Sequence, residues 1–142
     1  MDLTAFVDDL VYEPTQTDSP GLDLTVDSIS RITEPGRVDF GGDELEAAQT
    51  EPVETEKRDQ GDDYGWWDLS EGVYLVTYNE TLTALEDVRF VLQTRRAVRT
   101  RGAFHSTVHL TGDQSLGPVP VTVGKGGIRI KENARLSTLL SG

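Results

Sequence analysis

Five arginines fall within thirteen residues: Arg89, Arg95, Arg96, Arg99 and Arg101. A guanidinium is always charged and presents its donors as a planar fork, so such a cluster can grip phosphate or carboxylate oxygens. The same run also fits a strand face whose arginines pair with acidic neighbours, within the chain or across a subunit boundary. His105 and His109 are the only histidines, and on one strand they would share a face. With no cysteine and no third histidine, a metal centre is not expected, and the pair reads as hydrogen-bonded or interfacial. Trp66 and Trp67 could stack on a base or sugar. Adjacent tryptophans more often anchor a loop on the core and meet a partner chain, which makes them interface aromatics. Asn79-Glu80-Thr81 matches a glycosylation acceptor, without an export signal to support it.

The elements that must position these residues belong to a chain of 142 residues, the length of one domain over 1–142. It carries 25 acidic and 13 basic residues, a formal charge of −12, and only three of the basic ones are lysine. An acidic, lysine-poor surface is what adaptation to molar salt produces, where the Debye length falls to about 3 Å and carboxylates repel weakly. Nucleic-acid binding is disfavoured by the same charge. No apolar run is long enough to span a membrane, so no membrane partner is expected. The first residues, Met1-Asp2-Leu3-Thr4, lack the pattern of a signal peptide. A soluble, unsecreted protein, cytoplasmic or carried in a virion, is the expectation.

Residues 1–19 read as an N-terminal arm: Phe6, Val7, Leu10 and Val11 have helical spacing, Thr4 is a candidate cap, and Pro14 ends the helix. Leu22, Leu24 and Val26 alternate with Asp23, Thr25 and Asp27, the period of a half-buried strand. The stretch 41–65 is an acidic surface excursion, with nine carboxylates between Gly41 and Asp63. Beyond Trp67 every segment alternates as strand: Val73–Tyr78, Val88–Leu92, Phe104–Leu110, Val119–Val123, Ile128–Ile130 and Arg135–Leu140. Glycine-rich turns separate them. The expected fold is all-β, a sandwich, barrel or jelly roll. Its core should draw on Leu24, Val26, Val73, Leu75, Val88, Phe90, Val108, Val121, Ile128, Ile130 and Leu139.

Pro20-Gly21-Leu22-Asp23-Leu24-Thr25-Val26 resembles the first motif of the dUTPase and dCTP deaminase superfamily, in which a Gly-x-Asp-Leu strand lies beside the nucleotide in a homotrimer. The order that follows is similar too. Trp67-Asp68-Leu69 through Tyr78 looks like the family's D-L-x-P-G-x-Y-x-V-x-Y segment, with Glu71 where proline is usual. Glu80 to Val91 resembles the run ahead of motif two, and Ile128 to Leu139 resembles motif four, with Arg135 on a common arginine. The likeness looks strongest to dUTPase-type proteins of halophilic archaea. It implies a dUTPase-like jelly-roll or β-clip barrel assembled as a homotrimer.

The departures bear on activity. Family motif two reads Arg-Ser-Ser-Leu and binds phosphates; the aligned residues here are Thr94, Arg95, Arg96 and Ala97. Motif three carries the carboxylate that orients or deprotonates the attacking water. Ungapped counting puts Leu110 there, while Asp113 stands where the family has the tyrosine that stacks on deoxyribose. The resemblance therefore implies degenerate catalytic motifs, with Asp23 and Asp113 as the remaining candidate bases. Arg95, Arg96 and Arg99 become an anion or phosphate site, or a subunit interface. The leading expectation is a homotrimeric structural or binding protein that has lost catalysis, without a cofactor, with a larger assembly such as a viral capsid as a further partner. The alternative is a nucleotide enzyme, a dUTP diphosphatase or dCTP deaminase, with Mg²⁺ held mainly by the triphosphate.

Overall fold

The computed structural model describes all residues, 1–142. Its strands are β1 (Val7–Asp8), β2 (Leu22–Glu34), β3 (Gln49–Pro52), β4 (Trp66–Leu69), β5 (Gly72–Tyr78) and β6 (Thr81–Leu82). They continue with β7 (Arg89–Thr94), β8 (Ala103–Phe104), β9 (Val108–Thr111), β10 (Val119–Val123), β11 (Ile128–Lys131) and β12 (Arg135–Ser141). Helix is confined to a 3-10 turn at Leu3–Phe6 and two single turns, α1 (Glu13–Gln16) and α2 (Arg96–Arg99). The main antiparallel sheet runs β8-β10-β5-β2-β12-β7-β9, and small pairs β1-β6 and β4-β11 flank it. The architecture is all-β.

Strand β2 organises the sheet. Its first residues pair with β12, its middle with β5 and its end with β3. Register shifts between Val26 and Ser28, and between Arg135 and Ser137, place extra residues in these ladders, and such bulges bend and twist a strand. The apolar face of β2, Leu22, Leu24 and Val26, lies wholly in the core, as do Phe90, Val121, Ile130 and Leu139. Val88, Val108 and Ile128 are half-buried against that core.

Several sequence expectations are corrected. On β5 the buried face is Tyr74, Val76 and Tyr78, while Val73 is 43 % exposed and Leu75 only half-buried. Both parities of that strand carry large side chains, so alternation alone cannot choose between them; Tyr74 Oη donating to the Ser70 carbonyl and Tyr78 meeting Ser137 fix the choice. Asp23 and Thr25, read as solvent-facing, are buried as deeply as their apolar neighbours. The N-terminal helix is replaced by the 3-10 turn, capped by Asp2 rather than Thr4, and by β1 pairing with β6. Pro14 does not end a helix but sits in the first turn of α1, where its missing N–H costs nothing. The expected strand Phe104–Leu110 is interrupted, because the Thr94 hydroxyl bonds both the N–H and the carbonyl of His105 and so replaces the ladder there.

The acidic stretch contributes β3, whose four residues are all exposed at the end of β2, and two loops. Val53 packs against the core from this stretch, and its carbonyl accepts the indole N–H of Trp67 at 3.0 Å. No helix is long and apolar enough to cross a membrane.

Candidate functional site

Asp23, on the non-apolar face of β2, is 1 % exposed. Its Oδ2 lies 3.3 Å from Arg95 Nε and 3.1 Å from an Arg135 terminal nitrogen, and its Oδ1 accepts the Thr138 hydroxyl at 2.7 Å. Both carboxylate oxygens are therefore engaged, which makes Asp23 an anchor for two guanidinium groups. Arg135 also reaches Asp18 at 3.1 Å and the Thr15 carbonyl, tying the N-terminal arm to the same cluster. Removing this carboxylate would leave Arg95 without an anion and Arg135 with Asp18 alone.

The five arginines do not share a strand face. β7 ends at Thr94, Arg95 stands at the start of α2, and Arg96 and Arg99 are exposed on that turn. Arg101 folds back onto the Ala97 carbonyl at 2.9 Å, and Arg89 lies exposed at the far end of β7. The structure thus brings Arg95 and Arg135 together on Asp23, with Arg96 and Arg99 presented outward beside them. Their free fork donors suit an oxyanion.

Leu110 is buried in the core and cannot take a proton. Asp113, three residues on, is exposed on the turn after β9 and accepts the Thr111 hydroxyl at 2.7 Å. It lines a groove of about 450 Å³ together with Tyr78, Glu80 and Leu116. Glu80 accepts from the Thr25 N–H at 2.8 Å, the Thr25 hydroxyl at 2.6 Å and the Gln16 amide at 2.9 Å. Burial outweighs these donors and holds its carboxyl above the usual range.

His105 and His109 do not pair. His109 is exposed on β9, whereas His105 is buried in the loop before it. His105 Nδ1 lies 2.7 Å from the Ser106 carbonyl, which only accepts, so Nδ1 carries the proton and Nε2 receives the Ser137 hydroxyl at 2.7 Å. Ser137 in turn receives the Tyr78 hydroxyl at 2.6 Å. Burial lowers the His105 pKa and, helped by the charge of Glu80, pushes that of Tyr78 up to about 12. His105 and Ser137 lie out of solvent at the inner end of this relay, which fixes the core, while the Tyr78 ring also borders the groove beside Asp113. Sequence reading missed it because serine and tyrosine on alternating strands carry no mark of their partners.

Trp67 is buried, and Trp66 is half-buried with Arg58 over its ring at 4.5 Å and Lys131 at 5.7 Å. The Asn79 amide is occupied by Thr25 and Asn133, which removes it from the role of a free glycan acceptor. No three His, Cys, Asp or Glu side chains cluster as metal ligands.

No protein-family model matches the chain. A probable deoxyuridine 5'-triphosphate nucleotidohydrolase of Methanosarcina mazei is 28 % identical over 136 residues, covering 94 % of this chain and 76 % of that protein. A protein of the same description from Halobacterium salinarum is 36 % identical over 108 residues, covering 73 % of this chain and 63 % of its own length. The 2'-deoxycytidine 5'-triphosphate deaminase of Agrobacterium tumefaciens superposes over 96 % of this chain with a TM-score of 0.63 at 16 % identity, and this chain spans 43 % of the deaminase chain. The chain belongs to the dUTPase and dCTP deaminase superfamily.

Proposed function

We propose that the chain acts on deoxynucleoside triphosphates as a dUTP diphosphatase, working as a homotrimer. The observation that carries this is the arginine group beside Asp23: Arg95, held on that carboxylate, and the exposed Arg96 next to it stand at positions aligned with the family's phosphate motif, with Arg135 on the same carboxylate. The names of the relatives support nucleotide metabolism over the structural or virion role that the altered motifs favoured. Arg96 and Arg99 meet the phosphates, with Arg95 held beside them by Asp23. Asp113, on the turn after β9 and so at the opposite end of β7 from Arg96 within one chain, reaches the same nucleotide from a neighbouring subunit, and as general base it takes a proton from water attacking the α-phosphorus. The bond to the bridging oxygen breaks, giving dUMP and pyrophosphate. Magnesium carried by the triphosphate supplies charge neutralisation.

Leu110 in the core favours a second reading, in which a nucleotide binds without turnover. Pyrophosphate release from dUTP with magnesium, at molar salt to suit the acidic surface and with dCTP as second substrate, separates the two. Turnover that Asp113→Asn abolishes, while nucleotide binding persists, is the expected result. Binding without turnover in the wild-type chain selects the second reading, and absence of binding removes both.

A further inference from the structure

The loop between β2 and β3 is a hairpin closed by the Arg37–Glu46 bridge and its 2.9 Å ion pair. The Gly42 and Glu44 N–H groups both bond Asp39 Oδ2, which gives the tip a defined shape. On it Val38 is 88 % exposed, Phe40 fully exposed, and Leu45 exposed as well. Asp39, Asp43 and Glu44 stand among them without a cationic partner, and Asp39 Oδ1 is shielded yet has no donor. An aromatic ring left in water on an ordered tip gains stability only by burial against something else.

A complementary surface lies between α2 and β11. A groove of about 230 Å³ there is lined by Trp66, Val98 and Ile128, with Arg101, Arg129 and Lys131 among its charged residues. No carboxylate lines it, in a chain with 25 of them. Arg101 and Lys131 have no acidic partner within the chain, and Arg129 holds Asp68 only at 3.9 Å.

The geometry points to a second copy of this chain as the occupant: the hairpin of one subunit inserts Phe40 and Val38 into the groove of the next, and the exposed Asp43 and Glu44 meet Arg101 and Lys131. The two surfaces differ, so the contact is head-to-tail and closes as a ring when the rotation allows. Opposite charge orients the docking. This rests on the self-association proposed above and assigns its surfaces.

Sedimentation velocity tests it on the full chain. Phe40→Ser is expected to raise the dissociation constant on the order of 10- to 100-fold, as loss of one buried aromatic implies. Arg101→Glu with Lys131→Glu should weaken association as well, and more at low salt than at high. Circular dichroism checks that each variant remains folded. Mixing the hairpin variant with the groove variant restores one intact contact per pair and should give a one-to-one dimer. An oligomeric wild type with Phe40→Ser assembling undiminished would overturn the inference and leave self-association standing. A wild type that is monomeric at every concentration would remove both.

Discussion

At the scale of single residues, the molecule concentrates its polar chemistry in places that are closed to water. Asp23 is the clearest case, because two guanidinium groups and one hydroxyl converge on a carboxylate with 1 % exposure. Asp23→Ala should cost about 1–3 kcal/mol in urea unfolding, since Arg95 loses its carboxylate and Arg135 keeps only Asp18. His105 gives a pH signature. Its pKa falls below the usual 6.5 because burial opposes the charged ring. The unfolded chain then takes the proton first, so the stabilisation is complete above pH 6.5 and is lost as pH falls through the lowered folded value. Melting temperature followed from about pH 7.5 to 5 should show this slope, and His105→Gln should flatten it. Glu80 works in the opposite sense. Its carboxyl is raised above 4.5 by burial, so the folded chain binds the proton first and gains stability as pH falls toward that value.

At the scale of elements, β5 decides how the sheet faces its core. Val73→Thr should change stability by no more than about 0.5 kcal/mol, because the side chain is largely in solvent. Val76→Thr buries an unpaired hydroxyl and should cost about 1–3 kcal/mol, so paired urea melts of the two variants check the strand's orientation. Strands β10 and β11 were legible because every inward position is apolar, whereas β7 and β12 also bury Thr94 and Ser137. β5 was not, since valine, leucine and tyrosine occupy both parities. The first half of β2 was misread for a different reason: its polar face is covered by other polar groups, with Thr25, Glu80 and Gln16 satisfying one another and Asp23 met by Arg95, Arg135 and Thr138. Periodicity reports side-chain polarity, whereas burial here depends on partners distant in the chain. The same limit hid α2, where one helical turn between strands is too short to show a period and parts the arginines into an anchored residue and an exposed pair.

At the scale of the whole molecule, a charge of −12 makes the placement of cations informative. Arginines gathered around Asp23 and along the groove beside α2 are the regions where an anion, or another copy's acidic surface, would be met without repulsion. The fold is that of a superfamily whose curated relatives are named for dUTP hydrolysis, while the residues aligned with its catalytic motifs differ. Nucleotide recognition is therefore the claim on which the rest depends. Calorimetric titration of the chain with a non-hydrolysable α,β-imido analogue of dUTP and magnesium, at molar salt, measures it directly. The account predicts saturable binding that Arg96→Ala weakens by roughly tenfold or more, the loss of one charge-assisted contact. No binding by the folded wild-type chain, or binding that Arg96→Ala and Arg99→Ala together leave unchanged, would contradict it.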